Sequence, residues 1–373
     1  MIRNLREVLN ILELAGTISC TWPLDPNTKR WKKVAYNIRW TFAFIDIVVV
    51  SILLLIKMYY IRHDIVELTK AISLLSAITD GTLNLLFCKL NASKLQVLIA
   101  KVRQHLDRAN EDENKQIQVY VDRYKVVLSV VGMSYIINGS SFNFLPFYTD
   151  QVLPIECWYP FSIETPALYC VAYVLEACCV VPTALAIFID YKVMSLLFYI
   201  AARLNVLGEK LKQVDNYEQL ANCIEEHQEI LGFLEDTRLA VKALLFKVVV
   251  TMGATVISAG FPLLYMDDPM SDLQTVYSLG SFVVIGSGHV YLLAAPAEDL
   301  KESGSQFATS VTEIQWIGQS KGFGTSVVIM MQRSQKPCII PLGLIPGLSM
   351  EYFTQFLTTI YSYFMAMRTM IEA

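Results

Sequence analysis

The stretch "IRWTFAFIDIVVVSILLLIKMYY", residues 38–60, decides the class of fold. Its only charged residues are Arg39, Asp46 and Lys57, and aliphatic and aromatic side chains fill most of the other positions. A helix needs ~20 mostly apolar residues to cross the hydrocarbon core of a bilayer. The stretch therefore predicts a membrane-spanning helix.

The composition of the whole chain agrees with this prediction. Of its 373 residues, 54% are hydrophobic and only 17% are charged, whereas soluble domains carry about 25% charged residues. The deficit predicts a polytopic membrane protein. The net charge of −4 argues against a nucleic-acid partner, and the first residues show no pattern of a cleavable signal peptide.

Seven stretches are predicted to span the membrane, which makes the chain an all-α membrane protein with one domain, residues 1–373. The second stretch is interrupted by Glu67, Lys70 and Asp80. The predicted spans are residues 38–60, 65–87, 126–147, 167–190, 243–265, 274–295 and 339–367.

Basic residues predict the orientation of these spans, because Lys and Arg near span ends remain cytoplasmic. All but four of the 30 basic residues lie in the N-terminal segment and in the second, fourth and sixth links. The N-terminus is therefore predicted to be cytoplasmic and the C-terminus extracellular, opposite to a G-protein-coupled receptor. The four exceptions are Lys57, Arg62, Lys70 and Arg368.

Two of the cytoplasmic links, residues 191–242 and 300–336, alternate apolar and charged residues at helical spacing. We expect them to continue the spans as helices that pack together in a cytoplasmic anchor region. Amphipathic helices that lie singly on the membrane surface are the alternative.

The sequence offers no catalytic or metal-binding pattern. His227 lies among glutamates, but no second histidine completes a zinc-binding helix, and the residue is expected to form a hydrogen bond between helices. We therefore predict no enzyme activity, no cofactor and no metal. The eight cysteines are mainly expected to pack as free thiols, with a Cys157–Cys170 disulfide as the alternative.

Ionisable residues inside predicted spans are costly and normally face the bundle interior or water. Asp46 and Asp80 are such residues, and each is expected to find a partner in the other, in Lys70 or in the backbone. Glu176 and His289 are also predicted to lie within membrane-spanning helices.

The final span combines hydroxyl and apolar residues. From about Leu348 onward, helical spacing places Thr358, Ser362 and Met365 on one face, with Tyr361 adjacent. A weakly polar stripe that ends in an apolar ring suits a water-filled path with a hydrophobic constriction. The alternative is that the hydroxyls join neighbouring helices. A pore would require several copies of the chain around one axis.

The segment from Arg333 to Met370 resembles the C-terminal signature of insect odorant receptors. The resemblance rests on "RSQKP" at 333–337, Leu348-Ser349, Glu351, Phe353 and "YSYF" at 361–364. Similar patterns occur in the link "LPIECWYPFSIETPALY" at 153–169 and in "CIEEHQEIL" at 223–231. Thr358 stands where many members of that family have a lysine.

The resemblance implies a tuning subunit of an odorant-gated, non-selective cation channel. Such a subunit would join an odorant co-receptor in a heterotetramer whose seventh spans line one pore. It would lie, in contact with membrane lipid, in the plasma membrane of olfactory sensory neurons. A multispan transporter or a metabotropic chemoreceptor is the alternative, although a transporter would be expected to show repeat symmetry.

The resemblance also implies a site for a small volatile among spans two, three, four and six. Hydroxyl and aromatic residues of these spans are the candidates, although any of them could simply pack neighbouring spans. The predicted ligand-binding residues are Ile72, Ser76, Tyr135, Asn138, Ser141, Phe142, Tyr169, Tyr173, Tyr277 and Ser281.

Overall fold

The computed structural model describes residues 4–25, 27–149, 151–264, 266, 273–342 and 347–372. Within these residues the chain forms eleven α-helices, and a short 3-10 turn extends the fifth, so the predicted all-α class is confirmed. The helices are α1 (Leu5–Ile18), α2 (Arg30–Tyr60), α3 (Ile65–Leu90), α4 (Ala92–Arg108), α5 (Glu111–Phe144), α6 (Pro166–Ala184), α7 (Ile187–Leu211), α8 (Tyr217–Leu264), α9 (Leu273–Thr312), α10 (Lys321–Ser334) and α11 (Met350–Glu372).

Six helical segments of the described chain are long and apolar enough to cross a membrane. They correspond to the first six predicted spans and lie in α2, α3, α5, the α6–α7 pair, α8 and α9. The seventh predicted span contains residues 343–346, and the fifth link contains residues 267–272; both segments lie outside the described residues. The helix of the seventh span, α11, is not among the six, since Gln355 and several hydroxyl residues lower its hydropathy.

The structure divides the fourth predicted span into two helices. Helix α6 ends at Ala184 and α7 begins at Ile187. Pro182 occupies the last turn of α6, where its missing N–H and its ring disturb the regular hydrogen-bond ladder. Hydropathy alone cannot detect this break, because the residues on both sides are equally apolar.

Helices α8 and α9 are much longer than a bilayer requires. Helix α8 has 48 residues, which at 1.5 Å per residue gives about 70 Å, against ~30 Å of hydrocarbon. Helix α7 is buried along most of its length and packs against both. Residues 191–242 and 300–336 thus pack against one another instead of lying singly. Their position outside the membrane stays a prediction.

A cluster of ion pairs joins the helices in this region. Lys210 of α7 lies 3.0 Å from both Glu113 of α5 and Glu226 of α8, and Arg203 contacts Glu226 and Glu229. Burial alone would raise the pKa of Glu113, but hydrogen bonds from Lys210 and the Asn110 backbone outweigh it and lower that pKa. The cluster therefore favours a fixed packing of three helices.

His227 makes a different contact from the one predicted. Its ring lies 4.5 Å from the ring of Phe307, so a ring contact joins α8 to α9 where a hydrogen bond was expected. Burial, with a smaller effect from the positive charge of Arg333, lowers the pKa of His227 to about 4. The imidazole is therefore neutral at pH 7 and packs as an aromatic residue.

Glu176 explains how the link before α6 is held. Its buried carboxylate accepts hydrogen bonds from the backbone N–H groups of Ile155, Glu156 and Cys157 at 2.6–3.1 Å. Cys157 is buried in this turn, whereas Cys170 is exposed, and both are free thiols. The alternative of a Cys157–Cys170 disulfide is therefore wrong for this structure.

The predicted partners of two aspartates are also different in the structure. Asp80 pairs with Lys247 and Thr251 of α8, not with Asp46 or Lys70. Neither carboxylate oxygen of Asp46 has a hydrogen-bond partner among the described residues. Sequence spacing within α2 and α3 could not reveal that α8 supplies the cation.

Candidate ligand-binding site

A partly open cavity lies between α3, α5, α6, α8 and α9. The space open to the centre of a water molecule measures about 90 Å³. Most of its walls are apolar, and they include Leu74, Met252 and Ile285. An apolar cavity with a few polar groups is the usual form of a small-molecule site.

Two glycines bring the walls of the cavity together. A Cβ atom on Gly139 of α5 would lie 2.3 Å from Cβ of Ala184, and one on Gly286 of α9 would lie 2.7 Å from Cγ2 of Val256. Neither approach is possible for a residue with a side chain unless a neighbour moves. The size of the cavity therefore depends on glycine at these two positions.

The cavity has an aromatic end and a polar end. Phe142 of α5 and Phe282 of α9 form the aromatic end, with ring centroids 5.6 Å apart. Asp80, Tyr135 and His289 form the polar end, where the Tyr135 and His289 rings lie 4.8 Å apart in an edge-to-face contact. These two ends would orient an amphipathic ligand.

Two buried pairs of ionisable groups support the polar end. Lys247 Nζ donates to Asp80 Oδ1 at 2.6 Å, and Thr251 donates to the same oxygen at 2.6 Å. Nδ1 of His289 is in direct contact with Oδ2 of Asp190 on α7. Because such pairs are costly to bury, they are stable only with close partners. Here they join α3, α7, α8 and α9.

The structure places the ten predicted ligand-binding residues in different surroundings. Tyr135, Asn138 and Phe142 line the cavity. Asn138 donates to the hydroxyl of Ser281 at 2.7 Å. Ser141 and Tyr277 line a neighbouring pocket of about 270 Å³, which shares Phe142 with the cavity.

The other four predicted residues lie outside the cavity wall. Tyr169 and Tyr173 stack on one another, and Tyr173 donates to the backbone carbonyl of Asn143. Ser76 donates to the backbone carbonyl of Thr251, and Ile72 is half-buried on the same helix. A role in ligand binding stays a prediction for all ten residues.

Sequence reasoning missed the contributions of α8 and of the ionisable residues. Met252 and Thr255 of α8 line the cavity, although the fifth span was not among those expected to form it. Asp80 and His289 were recognised as costly polar groups but were not assigned to the site. Their depth in the spans was the available signal, since buried ionisable residues in membranes mark functional sites.

Helix α11 packs with one face, and most of its other described side chains are exposed. Phe356 and Ile360 are buried, and the ring of Phe353 lies 5.5 Å from that of Tyr291 on α9. On the exposed side, Tyr361 is 64% and Met365 42% accessible.

The predicted pore residues lie on this exposed side. Thr358 and Ser362 are exposed, and their hydroxyls donate to carbonyls of their own helix. Thr358, Tyr361, Ser362 and Met365 therefore lie on a surface that a single chain leaves uncovered.

The fold and the cavity define an all-helical membrane protein with an internal apolar cavity, and comparisons with known proteins specify its family. A family model described as 7tm Odorant receptor matches residues 42–361. The chain belongs to this family. Since the family consists of receptors, this agrees with the prediction that the chain is not an enzyme.

Individual proteins give the same result. Odorant receptor Or2 of Anopheles gambiae is 19% identical over 152 residues, which are 41% of this chain and only 39% of that receptor. Odorant receptor 46a, isoform B, of Drosophila melanogaster is 21% identical over 360 residues, with 92% of each chain covered. The solved structure of olfactory receptor OR5 from Machilis hrabei with eugenol has a TM-score of 0.81 at 17% identity and covers 98% of both chains.

Proposed function

We propose that this chain is the odour-binding subunit of a ligand-gated cation channel. A small volatile binds in the cavity, and α11 lines the ion path together with its counterparts in neighbouring subunits. The partner subunits include an odorant co-receptor, and the assembly lies in the plasma membrane of olfactory sensory neurons. The observation that carries this proposal is an apolar cavity whose walls on α8 and α9 belong to helices that also contact α11, whose hydroxyl-bearing side is uncovered.

Helix α8 connects the two parts of this proposal. Met252 and Thr255 line the cavity, and between them Gly253 faces α11, where an added Cβ would lie 3.7 Å from the Phe356 ring. A shift of α8 would therefore reach both the ligand and α11.

Helix α9 makes a parallel connection. Phe282 and Gly286 line the cavity, and Tyr291 contacts Phe353 of α11. A ligand that binds one arrangement of α8 and α9 more tightly would shift the position of α11, by no more than its difference in affinity for the two arrangements.

The comparisons support a small organic ligand. The Machilis hrabei receptor was solved in complex with eugenol, and its fold covers nearly all of this chain. We infer from this likeness that the cavity of this chain also accepts a compact volatile.

The test is electrical recording from cells that express this chain with an odorant co-receptor, without it, and with the co-receptor alone. A panel of volatiles should evoke a cation current only, or much more strongly, when both chains are present. Surface labelling of a tagged chain confirms that it reaches the plasma membrane. If no volatile adds current to that of the co-receptor alone although the chain is at the surface, the proposal fails.

A further inference from the structure

We propose that the cavity selects volatiles that carry a hydroxyl group. The hydroxyl would lie in the cavity between His289 at the polar end and Asn138, one turn along α5 from Tyr135, and the apolar body would extend to Phe142 and Phe282. This inference rests on the proposed function, because it specifies the ligand of the same site. The inference depends on two polar atoms that have no hydrogen-bond partner among the described residues, Nε2 of His289 and Oδ1 of Asn138.

His289 supplies a hydrogen-bond donor. It is 1% exposed and lines the cavity, and its Nδ1 contacts the buried carboxyl of Asp190. Lys247 already neutralises Asp80, so the Asp190–His289 pair has to be neutral overall to avoid an uncompensated charge at membrane depth.

In this neutral pair we place a hydrogen on Nε2 of His289, with Nδ1 either protonated as well or accepting from the acid. A carboxylate beside an imidazolium and a carboxylic acid beside a neutral imidazole are the two neutral arrangements. In the first, both ring nitrogens carry hydrogen; in the second, Nδ1 accepts and Nε2 carries it. Within the described chain, Nε2 of His289 has no hydrogen-bond acceptor. It is therefore a free donor at the cavity.

Asn138 supplies a hydrogen-bond acceptor. The hydroxyl of Ser281 uses its one hydrogen on the backbone carbonyl of Ser278 at 2.7 Å. Its 2.7 Å contact with Asn138 is therefore donated by Nδ2 of the amide. This fixes the orientation of the amide and leaves Oδ1 of Asn138 without a donor among the residues that the structure describes.

A hydroxyl is a small group that satisfies both atoms. The hydroxyl oxygen accepts a hydrogen bond from Nε2–H of His289, and the hydroxyl hydrogen is donated to Oδ1 of Asn138. One of these two hydrogen bonds can also be made through a water molecule. A ketone accepts but has no hydrogen to donate, and a hydrocarbon does neither. A buried polar group that loses its partner carries the full cost of desolvation. A site built for a hydroxyl thus discriminates against analogues that lack it.

The first experiment compares three probes of similar size and shape. They are a secondary alcohol such as 2-heptanol, the ketone 2-heptanone, and the hydrocarbon 2-methylheptane, in which a methyl group replaces the hydroxyl. The series is repeated at shorter and longer chain lengths to find the best fit. Current is recorded with co-receptor present. We expect the alcohol to act at a concentration about tenfold lower than the ketone, and the ketone to be more potent than the hydrocarbon.

Three substitutions assign these differences to the two side chains. Asn138→Leu should bring the potency of the alcohol down to that of the ketone and leave the ketone unchanged. His289→Asn keeps an amide near Asp190 but loses the Nε2 donor, so it should lower both relative to the hydrocarbon. His289→Gln places an N–H close to the Nε2 position and should restore part of the difference.

Asn143→Leu is the matched control, since Asn143 lies on the same helix but does not line the cavity. It should leave all three potencies in the same ratio. If the His289 variants do not reach the surface, Asn138→Leu decides the matter alone. Equal potency of alcohol and ketone, or an unchanged ratio in Asn138→Leu, would overturn this inference while the proposed function stands. No current with any volatile would count against the proposed function itself.

Discussion

Single residues set the dimensions of the cavity, and Gly286 is the clearest example. Its position on α9 leaves no room for a side chain because the stiff, buried Val256 lies in the way. The close approach of α9 to α8 at this point therefore depends on a glycine at position 286.

We expect Gly286→Ala to lower the stability of the folded receptor by about 1–3 kcal/mol, because the added methyl overpacks the contact between α8 and α9. It should also reduce ligand sensitivity. Thermal unfolding of the detergent-solubilised receptor and concentration–response curves measure the two effects. Gly288→Ala is the control, since nothing lies within 4 Å of a Cβ there, and it should be neutral or slightly stabilising.

The ion pair between Asp80 and Lys247 holds the carboxylate of Asp80 at the polar end of the cavity. Both side chains are less than 5% exposed. Lys247→Met leaves the buried carboxylate without its cation and should destabilise the receptor by about 3–5 kcal/mol.

The double variant Asp80→Leu with Lys247→Met removes both charges and should be more stable than Lys247→Met alone. Thermal unfolding in detergent measures this difference. Lys242→Met, at an exposed position on the same helix, is the control. A double variant less stable than the single one would contradict the pairing.

At the scale of elements, the contact of α8 with α9 through His227 predicts a dependence on pH. The folded-state pKa of about 4 lies below the ordinary value of 6.5, so the unfolded chain binds a proton more readily. Stability is therefore fully present above pH 6.5 and is lost as the pH falls towards 4, by up to about 3 kcal/mol.

His227→Phe should flatten this dependence between pH 6.5 and 4, because phenylalanine keeps the ring contact with Phe307 and does not titrate. Thermal unfolding at a series of pH values provides the comparison. His63→Phe changes an exposed histidine and should leave the slope as in the unchanged protein. The same slope in His227→Phe would show that other groups cause the pH dependence.

Helix α11 carries the prediction for the ion path. Met365→Ser replaces an exposed apolar side chain at the proposed constriction and should increase current in the absence of odour, because a polar wall is easier to wet. Tyr363→Ser alters an exposed residue two positions away, on a different side of the helix, and should have a smaller effect. Basal current recorded at equal surface expression distinguishes the two.

The elements were predictable from sequence to different degrees. Long apolar runs were sufficient to identify α2, α3, α5, α8 and α9, because a membrane imposes one length and one composition. The break between α6 and α7 was missed, since Pro182 is the only local signal. Helix α11 was predicted as part of the seventh apolar stretch, residues 339–367, although Gln355 and several hydroxyl residues lower its hydropathy.

The candidate site was less predictable because its residues come from distant segments. Tyr135, Asn138 and Phe142 lie on α5, in a span to which the family resemblance pointed, so one wall could be predicted. The pairing of Asp80 with Lys247 joins residues 167 positions apart, and no local pattern specifies it. A single sequence also does not specify that Gly286 packs against Val256.

At the scale of the whole molecule, the distribution of basic residues predicts an inverted orientation with an extracellular carboxyl end. A tag fused to that end should react with impermeant reagents in intact cells, whereas a tag at the amino end should react only after permeabilisation. The opposite result would invert the topology and would contradict the proposed arrangement of the ion path.

One recording tests directly whether a volatile that binds in the cavity opens an ion path lined by α11. Cells express Ser362→Cys with co-receptor, and excised patches are held without nucleotide while a volatile agonist is applied with a charged thiol reagent. We expect an odour-evoked current without nucleotide that falls irreversibly on modification. No such fall is expected for Ile360→Cys, because the side chain of Ile360 is 6% exposed and packed. A current that requires nucleotide, or one that persists unchanged after the thiol introduced by Ser362→Cys has been fully modified, would contradict the proposed function.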